Sequence, residues 1–208
     1  MGARSRPDMW RVAALTVVAL WLGPPPPPQR QGCAEPRYRW SAKIDTTLAA
    51  VTPRPASISE MLQSWEAPAV TARDWCAPRA ARELGVYRVR GWVRRLETSK
   101  DDGDWHIELT ERRDGPPDSC IVAEIPLGKL GSAYRQARAD LRLLVADRRR
   151  SKNGVLAQPI AVQLVGAAFF DGHHRARRRD IIDPKHGRCN SSLRALWELH
   201  PVYRVEPP

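Results

Sequence analysis

Polar and apolar residues alternate strictly over Gly103-Asp104-Trp105-His106-Ile107-Glu108-Leu109-Thr110. In an extended strand successive side chains point to opposite faces, so this stretch predicts a half-buried β-strand. Trp105, Ile107 and Leu109 form its core face. Asp104, His106, Glu108 and Thr110 form the other, which the pattern assigns to water or a ligand. A longer strand is expected upstream, where Tyr87, Val89 and Val93 alternate with Arg88, Arg90, Trp92 and Arg94 between Gly85 and Leu96. Gly91 interrupts its middle, as glycine does at a bulge or bend.

Three more strands follow from the same reasoning. Ser119 to Ile125 places Ile121, Ala123 and Ile125 on one face, and Pro159 to Phe170 is almost wholly apolar, as in a strand buried on both sides. Trp197 to Val205 alternates again, with Pro201 placing it at an edge or a bulge. Between the third and fourth strands, Tyr134, Ala137, Leu141, Leu144 and Val145 keep helical spacing behind Ser132 as a cap. Upstream, Ser57-Ile58-Ser59-Glu60 has capping-box spacing before Met61, Leu62 and Trp65, which predicts a short helix over 58–66. A second short turn is expected near Thr71 to Glu83. Residues 31–56 show no period and carry Pro36, Pro53 and Pro55, so they read as a linker or an arm wrapping the domain.

Three strands, a helix and two strands fit a mainly β fold, a five-stranded OB-like barrel preceded by a short helical N-terminal segment. The expected domains are 1–30, 31–83 and 84–206. In such a barrel one open face and the loops after the first and fourth strands take oligonucleotides or oligosaccharides. Those loops would be 98–103 and 171–192. Another small antiparallel barrel or sandwich is the competing architecture.

Composition changes the picture at the N-terminus and in charge. Arg4, Arg6 and Arg11 flank an apolar run from Trp10 to Gly23 of signal-peptide length, followed by Pro24 to Pro28. This predicts export to a periplasmic or extracellular location, with Cys33 offering a lipid acceptor that would tether the chain to a membrane. The net charge is +11, and removing residues 1–30 leaves 30 basic and 22 acidic residues, a net of +8. Arginine supplies most of it, which suits anionic partners. Cys33, Cys76, Cys120 and Cys189 form no C-x-x-C pair, which argues against a zinc knuckle. Three disulfide pairings are open, as is burial as free thiols.

Four blocks in order, Asp102-Gly103-Asp104-Trp105-His106-Ile107, then Ala123-Glu124-Ile125-Pro126, then Gly166 with Phe169-Phe170-Asp171 and His174, and Glu198-Leu199-His200-Pro201-Val202, carry a resemblance. Over residues 84–206 the chain resembles a set of uncharacterised bacterial exported proteins with a D-x-D-x-H strand and a closing E-L-H-P-V. The resemblance implies an OB-like domain and no particular activity.

Two constellations carry candidate chemistry. Asp104-Trp-His106, Asp171-Gly-His173 and Glu198-Leu-His200 each place a carboxylate and an imidazole at i and i+2, on one side of a strand. With His174, their convergence would suit Zn²⁺ or Mn²⁺, or general acid–base work in a hydrolase or nuclease; the alternative is a hydrogen-bonded structural network. The second constellation is basic: Arg88, Arg90, Trp92 and Arg94 on the first strand, with Arg175, Arg177, Arg178 and Arg179 in the later loop. Guanidinium and aromatic groups on an OB face suit a stacked polyanion such as single-stranded nucleic acid. Pairing of these arginines with Asp104 and Glu108, or plain solvation, is the alternative. No G-x-S-x-G elbow, phosphate loop or H-E-x-x-H occurs, nor the arginine, aspartate and glutamate pattern of OB nucleases. The reading is therefore an exported binding module for an anionic or polymeric ligand, nucleic acid or polysaccharide, with a metal-dependent hydrolase or an envelope structural protein as alternatives.

Overall fold

The computed structural model describes residues 33–175, 189 and 192–208 of the 208-residue chain. They belong to one compact unit, Cys33–Pro208. Among the described residues it is mostly sheet, with three helices: α1 (Trp40–Lys43), α2 (Ile58–Ser64) and α3 (Ser132–Val145). The six strands are β1 (Arg54–Ala56), β2 (Val86–Thr98), β3 (Trp105–Thr110), β4 (Cys120–Ile125), β5 (Val155–Phe170) and β6 (Trp197–Glu206). They form one sheet in the order β1-β2-β3-β4-β6-β5, and β2 also pairs with β5, which makes the sheet ring-like. The β4–β6 pair is parallel; β2–β3, β3–β4, β5–β6 and β2–β5 are antiparallel. Among the described residues no helix is long and apolar enough to cross a membrane.

The five expected strands and both expected helices are present. The core collects the inward residues of each: Val89, Val93, Ile107, Leu109, Ile121, Ala123, Val162, Leu164 and Leu199 are buried together. The helix α3 adds Tyr134, Ala137, Leu141 and Val145 from one face. Each such aliphatic side chain stabilises the fold by roughly 1.5–3 kcal/mol through burial. Trp65 is fully buried against Tyr87 and Trp197, with ring centroids at 4.8 and 5.3 Å.

Several local expectations are corrected. The bulge in β2 falls at Arg94, between the paired residues Val93 and Arg95, not at Gly91. Gly91 is needed because a Cβ there would run into Leu109, Ile58 and the Thr110 carbonyl. Ser132 is the first residue of α3 and does not cap it; Gly131 holds the cap position without a side-chain bond. At α2 the Ser57 hydroxyl accepts from the Glu60 N–H at 2.9 Å, but Glu60 accepts from Trp65 Nε1 instead of closing the box. The register of β6 against β5 shifts on either side of the Gly166–Val202 pair, and Pro201 falls in the irregular stretch between that pair and Ala168–Leu199, so β6 has the bulge and is not an edge.

Residues 31–56 are also more than a linker. From Cys33 onward they supply α1, a 3₁₀ turn at Thr47–Ala50 and β1, which pairs in parallel with Tyr87 to Val89 of β2. Cys33–Cys76 and Cys120–Cys189 are the two disulfides, and the first ties the start of this arm to the segment before β2.

Candidate functional site

The register of three adjacent strands builds the site. His106 of β3 lies opposite Glu124 of β4, and the parallel pairing of Val122 with Glu198 and Ala123 with Leu199 brings Glu124 beside His200 of β6. All three side chains therefore leave the sheet on the face away from the core. That face is covered by the arm. Tyr38 and Ala42 pack on Phe169, and Lys43 Nζ sits 5.2 Å from the centre of the Phe169 ring. The expected solvent exposure of the polar face is thus corrected: Asp104, Glu108 and Thr110 are buried, and His106 is half-buried.

The contacts run in a row. His106 Nδ1 is 2.9 Å from Glu124 Oε1, and Glu124 Oε2 is 3.1 Å from His200 Nδ1. Glu198 Oε2 is 3.6 Å from that same nitrogen, and Asp104 Oδ2 is 3.3 Å from His200 Nε2. Around His200 these are ion-pair approaches rather than aligned hydrogen bonds. Arg79 fixes the backbone here, donating to the carbonyls of His200 and Ala42 at 2.6 Å each.

Burial and charge act against each other throughout. Burial alone would lower the His200 pKa, but Glu124, Asp104 and Glu198 outweigh it and push it up to about 9. His106 is likewise raised, burial opposing and Glu124 prevailing. Burial would raise the Glu124 carboxyl, yet His200, His106 and Lys43 hold it well below the usual carboxylate range. Lys43 is kept charged despite burial, chiefly by Asp171 at 3.1 Å, then by Glu124 and Glu198.

A cleft of about 690 Å³ lies over this row, between residues 99–102 and 171–174. Tyr38, Trp40 and Trp75 contribute aromatic surface. Four cationic side chains, Arg37, Lys43, Arg95 and Lys100, meet five carboxylates, Glu97, Asp101, Asp102, Glu124 and Asp171, and three histidines, His106, His173 and His174. With neutral imidazoles the lining is within one charge of balance.

Two of the three acidic-x-His triplets meet in the row: Asp104 with His106, and Glu198 with His200. The third does not have strand geometry. Asp171 starts a 3₁₀ turn, its carboxylate accepts from the His173 backbone N–H, and His174 at i+3 is the imidazole that faces it, at 3.8 Å. His173 turns instead toward Tyr38 and Trp75. The seven proposed metal ligands therefore do not share one centre. Glu124, Lys43 and Tyr38 were missed by sequence reasoning. Glu124 had a signal, a lone charge in the otherwise apolar strand Cys120–Ile125; Lys43, in a stretch without a period, had none.

The basic constellation divides. Arg88, Arg90 and Trp92 line a separate groove of about 780 Å³ with Glu60, Glu111 and Gln163. Arg90 Nε donates to Gln163 at 3.0 Å and Arg88 lies 4.0 Å from Glu206. The bulge turns Arg94 and Arg95 to Glu108, at 3.6 and 2.9 Å, so Arg94 leaves the groove. Arg175 donates to the Pro68 carbonyl and lies over the Phe170 ring, a structural use. Arg177, Arg178 and Arg179 lie outside the described residues.

Of the other cation-binding geometry, Glu108, Cys120 and Cys189 cluster, but the two sulfurs are joined in a disulfide and supply no thiolate. The polar residues of all four resemblance blocks, Asp104, His106, Glu124, Asp171, His174, Glu198 and His200, do gather in or beneath the cleft. Comparison of the chain with protein-family models, with curated proteins and with solved structures finds no match.

Proposed function

We propose that the protein is an exported OB-type module that takes a polysaccharide chain into the cleft between residues 99–102 and 171–174. The barrel reading is supported by the strand order, by α3 standing between β4 and β5, and by the parallel β4–β6 pair. Export is supported by the two disulfides, which persist in oxidising compartments, together with the basic and apolar N-terminal sequence.

The observation that carries the ligand class is the near-balanced charge of an aromatic-walled cleft. A polyanion site gains its affinity from uncompensated cations that release counterions. Here Glu97 engages Arg95 and Asp171 engages Lys43, so little cationic charge is left over. Aromatic faces with paired charges around them suit the apolar faces and hydroxyls of sugar rings. The groove at Arg88, Arg90 and Trp92 has two acidic side chains of its own and no advantage for a polyanion either.

Titration with neutral oligosaccharides of several linkages, and with a single-stranded oligothymidylate, tests this. One sugar series should bind with an affinity that changes less than threefold between 50 and 500 mM salt. Trp40→Ala should weaken it about tenfold, or about 1.4 kcal/mol, near the upper end of what one aromatic contact supplies. Oligothymidylate binding with a steep salt dependence, and none by the sugars, overturns the proposal.

A further inference from the structure

We infer that Asp104, Glu124 and His200 form a binding site for one divalent transition-metal cation, at the base of the cleft. The inference is independent of the ligand read for the cleft above. One donor atom from each of these residues lies within 4.8 Å of the others. Zinc bonds to nitrogen and carboxylate oxygen are about 2.0–2.2 Å, so donors sharing an ion at tetrahedral angles stand about 3.4 Å apart. Asp104 faces His200 Nε2 and Glu124 faces Nδ1, so an ion on one nitrogen draws in the carboxylate from the other side, and the widest pair closes by up to roughly 1.4 Å.

An independent observation points to a cation. Asp104 and His200 are fully buried, yet neither Asp104 oxygen and neither His200 ring nitrogen makes a hydrogen bond with the protein. Buried carboxylates ordinarily collect several N–H or O–H donors, because leaving them bare is costly. Around His200 stand three carboxylates, Asp104, Glu124 and Glu198. Lys43 is engaged with Asp171 and His106 with the other oxygen of Glu124, so among the described residues the imidazolium of His200 is the one positive charge among these three carboxylates, and a bound ion would take over that role as His200 gives up its proton. Two oxygens and an imidazole nitrogen are a donor set for Zn²⁺ or Mn²⁺, and Glu124 reaches the cleft, which gives an ion its way in. His106 on Glu124 would hold that ligand in place. Asp171, His173 and His174 fall outside the set.

The test uses full-length protein stripped with a chelator and titrated calorimetrically with Zn²⁺ and Mn²⁺, with Mg²⁺ as a control. A stoichiometry of one, a melting temperature raised by several degrees, and at least tenfold weaker binding in Asp104→Asn and Glu124→Gln are expected. His173→Gln should bind as the unmodified protein does. A second measurement needs no variant: Co²⁺ should give a visible d–d absorption that one equivalent of Zn²⁺ removes. Absence of stoichiometric binding to the unmodified protein overturns the inference, as does binding that survives both substitutions unchanged or is lost in His173→Gln.

Discussion

Replacing Arg39 by methionine should cost the fold about as much as truncating a large side chain of its aliphatic core. The guanidinium is fully buried and makes five hydrogen bonds: two to the Glu83 carboxylate at 2.8 Å each, and one each to the carbonyls of Ala77, Pro78 and Phe170. It also lies 4.7 Å from the centre of the Phe169 ring. These contacts hold Arg39 in a left-handed backbone conformation, φ 47°, which by itself costs about 1 kcal/mol. Methionine keeps much of the volume and removes the charge. Glu83 would then be a buried carboxylate without its cation, which costs about 3–5 kcal/mol. It retains the N–H of Phe170 at 2.9 Å, which places the expected loss near the middle, about 4 kcal/mol. For a fold of this size that is a drop of roughly 8–16 °C in melting temperature.

Urea unfolding followed by tryptophan fluorescence measures the loss, and a double-mutant cycle apportions it. Glu83→Gln alone should cost about 3 kcal/mol, and the double variant should lose at least 2 kcal/mol less than the sum of the two. The arm that forms one wall of the cleft through Tyr38, Trp40 and Lys43 is anchored at this residue, so its amides should exchange faster in Arg39→Met. A loss under 1 kcal/mol, or two effects that simply add, would refute the reasoning that this pair seats the arm.

Gly154→Ala should lose about 2 kcal/mol or more, read by urea unfolding, because φ is 75° there and a Cβ would run into the Leu96 carbonyl oxygen. A neutral result would mean that the loop before β5 adjusts freely. Tyr134→Phe should leave stability unchanged or raise it by up to about 1 kcal/mol at pH 8, since its hydroxyl is buried with no hydrogen-bond partner. Burial raises the Tyr134 pKa above its ordinary value of about 10, so its neutral form supports folding below that pH and the support is lost as pH rises further. Melting curves at pH 8 and 10.5 should therefore show a smaller alkaline drop in Tyr134→Phe. Tyr38 and Tyr203 are raised by burial in the same way, so the drop should shrink without vanishing.

The strands were legible because their periods are local properties. Ile107 and Leu109 are buried as the alternation of β3 requires, and Val162 to Phe170 is buried without interruption, as a run that is apolar but for Gln163 implies. An arm wrapping the domain was one of two readings of residues 31–56, but where it docks was not legible, for the opposite reason. Its position depends on single long-range contacts, such as Arg39 with Glu83 and Arg79 with the carbonyls of Ala42, Ala168 and His200, and a lone arginine in a sequence carries no period. The three-residue strand β1 includes Pro55, which removes one donor and hides it from any pattern. The bulge at Arg94 was equally invisible, and it alone decides that two consecutive arginines face Glu108.

The candidate site shows where parity stops being informative. Alternation assigns Asp104, His106, Glu198 and His200 to the face opposite the core, and that assignment is right. It does not say what lies on that face. Water was the default, because nothing in residues 31–56 has the hydrophobic period of a covering layer. Yet Tyr38, just before the four-residue helix α1, and Ala42 and Lys43 within it roof the row, and the roof turns an ordinary hydrated set of charges into a buried one. The consequence is energetic as well as geometric, since a carboxylate or imidazole without water must find a fixed counter-charge. Loosening the arm should for that reason disturb the His106–Glu124–His200 row before it disturbs the strands that carry it. Hydrogen exchange in Arg39→Met would reveal this as early opening of residues 38–43 with β4 and β6 still protected, whereas simultaneous opening of arm and sheet would mean that the roof and the ring are one cooperative unit.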